Sequence, residues 1–290
     1  MPDQDYKAKY NQLIEDGFCV LEDILDSAFL NELREFTDHQ TAEMSEDEAR
    51  AQKSPGSLLP VMNDEIFARL VAYRPALKAL ENLGFHDTKF SSGYVISKPS
   101  NTPRLFWHFD WAGWTHPFSF EKQPAQIFLM YYLVDTTREN GCLRVIPRSH
   151  IEFNSLHDEL SPAHTPELRA AEDMTLPDFQ IRPDEVDVPV KAGDLVIGDS
   201  RMLHAAHANE TDQRRTVITL WFHPNFCDLP EPIQGYIGRS RRDMREWCPE
   251  LADELHALQP YYEGDEKPLD FLRVQLTRES FEKGIAEVPS

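Results

Sequence analysis

The stretch KAGDLVIGDSRMLHAAHANETDQRRTVITLWF, residues 191–222, places two short segments around a histidine-containing loop. The segments DLVIGD (194–199) and RTVITLWF (215–222) are rich in β-branched and aromatic residues, which is typical of strands. Two strands that bracket a loop predict that its histidines lie at a strand end, facing the mouth of a barrel.

Segments of the same kind occur upstream: FSSGYVISK (90–98), AQIFLMYYLV (125–134), CLRVI (142–146) and VDVPV (186–190). Turns and irregular loops, not regular helices, separate them, which argues against a doubly wound parallel sheet. We therefore expect a mainly β protein with helical flanks, an antiparallel jelly roll or double-stranded β-helix of the cupin-like barrel type. The long, proline-spaced segment 150–185 predicts a functional or mobile loop.

Helical spacing of apolar residues dominates both ends of the chain. The N-terminal patterns predict, in order, a helix over 3–16, a short strand over 17–25, a helix from Asp26 or Ser27 to about Gln40, a polar loop over 44–57 and two helices over 64–83 that Pro75 separates. Helical patterns return over about 229–290, outside the β core or as part of a lid. We expect one domain over 1–290, with a helical part to about residue 85 and a β core over about 86–225.

Composition restricts the class of protein. The 290 residues are 41% hydrophobic and 11% aromatic, enough to bury a core, so wholesale disorder is excluded. The net charge of −21 argues against nucleic acid or an anionic membrane as partner. No signal peptide or membrane-spanning run is evident, and the four scattered cysteines form no CxxC motif, which together predict a cytoplasmic protein with reduced thiols.

Two triplets combine a histidine with an acidic residue two positions later, about as many as the composition gives by chance. His157-Asp158-Glu159 lies in the polar segment NSLHDELSPAH, which predicts a solvated charged patch. His108-Phe109-Asp110 lies among aromatic residues in RLFWHFDWAGW (104–114). Burying an imidazole and a carboxylate there is costly unless they pair with each other or bind a metal, and both interpretations stay open at this point.

The second triplet has the arrangement of half a metal site. Residues i and i+2 of a strand point to the same face, so His108 and Asp110 would lie side by side. One more imidazole would complete a 2-His-1-carboxylate facial triad, which is typical of non-haem iron. His204 and His207, in the loop of the stretch quoted first, are the candidates for it.

Three segments in fixed order identify a family. FWHFD (106–110), DTTRENGCLRVIPRSH (135–150) and residues 191–222 resemble the phytanoyl-CoA dioxygenase family of non-haem Fe(II), 2-oxoglutarate-dependent oxygenases. The opening DGFCVLEDILD (16–26) is also similar, and the resemblance covers about residues 8–225. The chain departs from the family at Arg148, where the family usually has glycine.

The resemblance implies a ligand set and two cosubstrates. His108, Asp110 and His204 would bind Fe(II), and 2-oxoglutarate and O2 would fill the remaining positions. Arg215, eleven residues after His204, would hold the far carboxylate of 2-oxoglutarate as a bidentate ion pair. Arg214 is the rival for this role, because adjacent strand residues face opposite sides. His207 would then be structural.

The substrate implied is a small molecule. Candidate residues around it are Lys98 for cosubstrate or substrate, Trp111 and Trp114 just beyond the triplet, and Arg104 and Arg201 for an anionic group. Relatives that halogenate have a small residue in place of the carboxylate. Asp110 therefore implies hydroxylation, with release of succinate and CO2.

Three alternatives remain. A cupin-like binding protein without catalysis would be favoured if His204 or Arg215 pointed away from the triplet. An Fe(II) oxygenase that does not use 2-oxoglutarate would be favoured if Arg215 lay outside an intact site. A Zn(II) hydrolase on the same ligands is disfavoured by the barrel and the distal arginine.

Overall fold

The strands of the computed structural model, which describes residues 5–41, 45–238, 243–270 and 276–288, form two antiparallel sheets. They are β1 (Phe18–Leu21), β2 (Ser57–Pro60), β3 (Lys89–Lys98), β4 (Ile127–Tyr132), β5 (Leu143–Val145), β6 (Val186–Val188), β7 (Leu195–Asp199), β8 (His204–Ala206) and β9 (Arg215–His223). The predicted strands are all present, whereas β2 and β8 were not predicted. Both are short, and their sequences do not alternate clearly between apolar and polar residues.

The larger sheet has the strand order β1-β7-β4-β9-β3-β2, and the smaller has the order β6-β5-β8. Apolar side chains from both sheets pack between them, as Phe128 and Val217 of the larger sheet do against Val145 and Val188 of the smaller. The segment 102–108 extends the smaller sheet by running antiparallel to β8 through isolated bridges. The prediction of an antiparallel double-stranded β-helix is confirmed.

The main core lies on the outer face of the larger sheet. Alternate residues of β4, among them Leu129, point away from the barrel and pack on Leu33 and Leu80 of the flanking helices. The segment IFLMYY is therefore continuously apolar because both of its faces are covered. The helices are α1 (Tyr6–Asp16), α2 (Ser27–Thr41), α3 (Glu46–Ala51), α4 (Glu65–Val71), α5 (Arg74–Asn82), α6 (Leu156–Glu159), α7 (Pro166–Ala170), α8 (Glu231–Ile237), α9 (Ala252–Leu258) and α10 (Arg278–Ala286).

Local sequence signals set the bounds of the N-terminal helices. The Asp26 carboxylate accepts hydrogen bonds from the amides of Ala28 and Phe29 at 3.0 and 2.9 Å, which caps α2 at the predicted residue. Pro75 lies in the first turn of α5, where its missing N–H costs nothing, and α4 ends before it as predicted. Residues 3 and 4 of the first predicted helix lie outside the described residues.

Two segments predicted as loops contain helices. In 44–57, α3 begins at a capping box in which Ser45 and Glu48 bond reciprocally, and β2 begins at Ser57. Met44 itself is outside the described range. In 150–185, α6, α7 and a 3-10 turn at Pro177–Phe179 interrupt the irregular chain. Each is a single short turn of helix, too short for a periodic apolar pattern to reveal.

The C-terminal tail packs on the rest of the molecule. Met244, Trp247 and Leu255 belong to the same core as the N-terminal helices, and Phe281 of α10 packs against Trp114. Helices were predicted over about 229–290. Three parts of that stretch lie outside the described residues: 239–242, 271–275 and 289–290. Among the described helices, none is long and apolar enough to cross a membrane.

Candidate metal and cosubstrate site

His108 and His204 are brought together by the main chain. The amide of each donates to the carbonyl of the other, at 3.0 and 2.9 Å, so the two residues form a bridge between neighbouring chain segments. This pairing places their imidazole rings with centroids 4.3 Å apart. His204, the predicted third ligand, lies 96 positions after His108 in sequence. The main-chain bridge explains how the two residues become neighbours.

The hydrogen bonds of the two rings decide which nitrogen can bind a metal. Nδ1 of His108 lies 3.1 Å from the carbonyl of Phe106, and Nδ1 of His204 lies 3.0 Å from the carbonyl of Met202. A carbonyl only accepts, so Nδ1 carries the proton in both rings and Nε2 carries the lone pair. Both Nε2 atoms lie 3.6 Å from a carboxylate oxygen of Asp110.

The carboxylate of Asp110 is also held in place. Its Oδ2 accepts a hydrogen bond of 2.8 Å from Nε1 of Trp221, and its amide donates to the carbonyl of Ser200. Trp221 was not singled out from the sequence, although it lies six residues after Arg215 on the same face of β9. The imidazole nitrogens of His108 and His204 thus lie on either oxygen of one oriented carboxylate, an arrangement of the donor types that non-haem iron uses.

Arg215 lies in the same cavity, which has a volume of about 590 Å³. Arg215 is 4% exposed, and its buried Nε has no hydrogen-bond partner among the described residues. Burial lowers the pKa of Arg215, while nearby Tyr132 and Cys142 act in the opposite direction. A buried nitrogen of a charged side chain without a hydrogen-bond partner is costly, and an anion at this position would offset that cost.

Arg214, the rival residue, faces the other way. Its Nη1 lies 3.3 Å from the hydroxyl oxygens of Ser57 and Ser97 and from the Ser97 carbonyl, and it does not line the cavity. Because β9 alternates, Arg215 is on the inner face with Thr219 and Trp221. Of the two arginines, Arg215 is therefore the one whose side chain faces the cavity.

Lys98 is buried but does not line this cavity. Its ammonium donates to the carbonyls of Ser54 and Pro103 at 2.7 and 2.5 Å. Burial first, and then the charges of Arg215 and Arg144, lower its pKa well below the usual range. The predicted contact with cosubstrate or substrate is thus replaced by a structural contact that ties two loops to the end of β3.

The two tryptophans proposed for the substrate pocket lie behind the site. Trp111 is 1% exposed and donates from Nε1 to the Ser119 hydroxyl at 2.8 Å. Trp114 packs between Phe120 and Phe281, under α10. The prediction needs correction because the chain turns after Asp110, so residues beyond the triplet enter a core between barrel and tail.

The two arginines proposed for an anionic substrate have protein partners. Arg201 is buried in a bidentate ion pair with Asp199 and donates to the carbonyls of Ser119 and Glu121. Arg104 donates to the carbonyl of Phe179 at 3.1 Å. Neither side chain lines the cavity, so these assignments are also corrected.

The other triplet is solvated only in part, because Asp158 and Glu159 are exposed as predicted whereas His157 is buried. His157 is 1% exposed and lies among Phe109, Phe153 and Phe281, with its ring stacked on Phe281. Burial lowers its pKa to about 4, and its Nδ1 accepts a hydrogen bond of 3.1 Å from the Asn154 amide. The sequence alone concealed this, because the aromatic partners come from distant segments.

His164 is a site residue that the sequence did not indicate. It lies in the connection between β5 and β6 and lines the cavity. One ligand atom each from His108, Asp110 and His164 lie within 4.8 Å of one another. The surrounding residues, SPAHTPEL, contain no ligand spacing that would have revealed it.

A second cavity of about 450 Å³ adjoins the first. The two share Ser92, Tyr94, Asp110 and Gln126 as lining residues. The far wall of the second cavity comes from the tail, with residues such as Trp247. Space for a further molecule thus lies next to the carboxylate of the candidate metal site.

Comparison with known proteins places the chain in a family. The family model of phytanoyl-CoA dioxygenase (PhyH) matches residues 13–217, a range that includes the three candidate metal ligands and Arg215. The chain belongs to the phytanoyl-CoA dioxygenase family. Members of this family are non-haem Fe(II) oxygenases that use 2-oxoglutarate and O2 and act on small molecules.

One curated protein and two solved structures illustrate the similarity. Dioxygenase FUM3 of Gibberella moniliformis (strain M3125 / FGSC 7600) is 30% identical over 114 residues, which are 39% of this chain and 30% of that protein's length. The epimerase SnoN in complex with Fe3+, alpha ketoglutarate and nogalamycin RO superposes with a TM-score of 0.55 at 18% identity, over 75% of this chain and 83% of that one. EctD from S. alaskensis, with 2-oxoglutarate and 5-hydroxyectoine, gives 0.52 at 20% identity over 77% and 76%. At these identities the two structures establish the fold alone.

The residues present fit the iron and 2-oxoglutarate that the phytanoyl-CoA dioxygenase family uses. His108 and His204 offer neutral nitrogen donors, and Asp110 offers an oriented carboxylate, which suits Fe(II). The buried Nε of Arg215 has no partner among the described residues, which suits the distal carboxylate of 2-oxoglutarate.

Proposed function

We propose that the protein is an Fe(II)- and 2-oxoglutarate-dependent dioxygenase that hydroxylates a small molecule and releases succinate and CO2. One observation carries the proposal. A two-histidine, one-carboxylate cluster and a buried arginine, whose Nε has no hydrogen-bond partner among the described residues, line the same cavity of a family member. A binding protein without catalysis would not need both, and an oxygenase without 2-oxoglutarate would not need the arginine.

His108, Asp110 and His204 would hold the metal, and Arg215 would fix the cosubstrate. Iron bound there supplies the redox chemistry by which O2 oxidises 2-oxoglutarate and then the substrate. The protein's own contribution is to orient these groups. Trp221 fixes the carboxylate, the two main-chain carbonyls fix the imidazole tautomers, and the apolar barrel walls around Met130 exclude water.

Hydroxylation is proposed over halogenation because of Asp110. Its carboxylate lies 3.6 Å from both imidazole Nε2 atoms, so the position that a halide would need is filled. The substrate would occupy the adjoining cavity of about 450 Å³, which shares Asp110 with the metal site. Such a volume suits a small molecule, and a cytoplasmic location agrees with four cysteines that form no disulfide.

Anaerobic titration of the metal-stripped protein tests the proposal. Fe(II) is added first and 2-oxoglutarate second, and the weak visible charge-transfer band of a chelated Fe(II)·2-oxoglutarate complex is recorded. A band that needs both additions supports the proposal. Bound iron without the band indicates an oxygenase that does not use 2-oxoglutarate, and absence of iron binding indicates a non-catalytic barrel.

A further inference from the structure

His164 brings a third imidazole to the site, from a connection and not from a strand. Its ring lies edge-to-face against His108, with centroids 5.1 Å apart, and against Phe106 at 5.2 Å. One of its nitrogens lies within 4.8 Å of ligand atoms of both His108 and Asp110. Donors on one ion, each at about 2.1 Å, lie at most about 4.2 Å apart, so the upper limit of 4.8 Å is close to the separation that two ligands of one ion require.

The chain holds His164 in place on both sides. Before it, the amide and hydroxyl of Ser161 donate to the buried carboxylate of Asp178 at 3.0 and 3.2 Å. After it, Thr165 caps α7, and the carbonyl of Arg169 accepts from the amide of Ser54 at 2.8 Å. The position of His164 is therefore set by the fold of the connection.

The backbone of His164 is in the left-handed region, with φ of 64°. This conformation is uncommon for residues other than glycine, and it turns the chain so that the side chain lines the cavity. Non-glycine residues in this region concentrate at functional sites, where the surrounding structure enforces them. The geometry and the conformation are independent reasons to look for a role.

We propose that His164 is a fourth protein ligand of the metal in the absence of 2-oxoglutarate. The inference rests on the proposed function, since it concerns the same metal. An octahedral ion held by His108, Asp110 and His204 keeps three positions, of which His164 would take one. A chelating 2-oxoglutarate and O2 need all three, so the neutral imidazole leaves with its lone pair when the cosubstrates bind. His164 thereby keeps a position closed to O2 until 2-oxoglutarate is present.

Cobalt(II) in place of iron provides a test that does not depend on turnover. The full-length protein and the His164→Gly variant are loaded with Co(II), and the ligand-field absorption and the Co(II) affinity are measured with and without 2-oxoglutarate. Glycine is chosen because it adopts the left-handed backbone without strain. His164→Asn, which also tolerates this backbone, is the second variant, and His256→Ala, at an exposed histidine of α9, is the control.

The expected result is a weaker and spectrally different site in both His164 variants. Without 2-oxoglutarate, the Co(II) affinity of His164→Gly falls at least about tenfold and its spectrum differs from that of the wild type. With 2-oxoglutarate the two spectra converge, because His164 has left the metal in the wild type. Equal affinities and spectra in the absence of 2-oxoglutarate would overturn the inference. If the Fe(II)·2-oxoglutarate band forms normally in all the variants, that failure concerns His164 and not the proposed function.

Discussion

The paired chain segments that carry His108 and His204 and the connection that carries His164 line one cavity but are held in different ways. The two strand histidines are fixed by reciprocal main-chain hydrogen bonds, which depend on neither side chain. The connection is fixed by side chains, such as the buried Asp178 that accepts from Ser161. We therefore expect the positions of His108 and His204 to tolerate substitutions of neighbouring side chains. The position of His164 depends instead on a few polar side-chain contacts of the connection.

The largest expected effect comes from the strand side. Asp110→Ala removes the one carboxylate of the metal cluster and should abolish Fe(II) binding and turnover together, because two imidazoles alone leave the ion without its anionic ligand. Metal content after desalting and succinate formation are the measurements. Asp212→Ala, at an exposed carboxylate of the β8–β9 loop, is the control. Retained iron and turnover in Asp110→Ala would exclude the triad.

The adjacent residues Arg214 and Arg215 allow a matched test of which arginine binds 2-oxoglutarate. Arg215→Ala should raise the 2-oxoglutarate concentration needed for half-maximal formation of the charge-transfer band by roughly 30-fold or more, because truncating one partner of a buried charge pair costs about 2–5 kcal/mol. Iron affinity should change little. Arg214→Ala, one position away on the other face, should leave both quantities near wild-type values. A larger effect from Arg214→Ala would reverse the assignment.

Two buried histidines should make the stability of the connection and of β9 depend on pH. Burial lowers the pKa of His157, in the connection, and of His223, at the end of β9, to about 4 each. An unfolded histidine titrates near 6.5, so the neutral side chain contributes stability above pH 6.5 that is lost as the pH falls towards about 4. For a shift of this size the loss is at most roughly 3 kcal/mol per group.

The protonation of these histidines should be seen in different places. Near His157, the amide of Arg278 donates to the Asp158 carboxylate in an exposed contact, so we expect acid to release α10 and the connection first. Hydrogen exchange at pH 5 and pH 7 should show this segment losing protection before β9. His157→Gln should reduce the difference, and uniform loss of protection across both regions would contradict the expectation.

Long strands of the fold could be predicted from the sequence, whereas short elements could not. β4 and β9 were recognisable because apolar and β-branched runs of six to nine residues carry a strong local signal. β8 has three residues, and its strand character comes from pairing with β5, which the local sequence does not encode. The helices of 150–185 were missed because each is a single short turn, too short for a periodic apolar pattern.

Some residues of the candidate site were indicated by a local sequence pattern, and others were not. His108 and Asp110 were singled out by their i, i+2 spacing, and Arg215 by the family resemblance; the structure brings all three side chains to one cavity. Trp111 and Arg201 were assigned wrongly, because proximity in sequence to a ligand does not indicate direction once the chain leaves the strand. His164 was invisible, since only the fold of the connection brings it to the metal cluster.

The smallest effect expected concerns the residue that links the two strands of the site. Trp221→Phe keeps the ring of β9 but removes the Nε1–H that donates to Asp110 Oδ2 at 2.8 Å. Hydrogen bonds to metal ligands orient them, and their loss typically lowers metal affinity about 10- to 100-fold, so we expect a value near the lower limit because the imidazoles stay fixed. Competition with a chelator measures the Fe(II) affinity, and thermal unfolding of the metal-free protein shows whether the core is intact. An unchanged affinity would mean that the main chain at Ser200, and not Trp221, holds Asp110 in position, which would make the strand side of the cavity independent of side-chain contacts altogether.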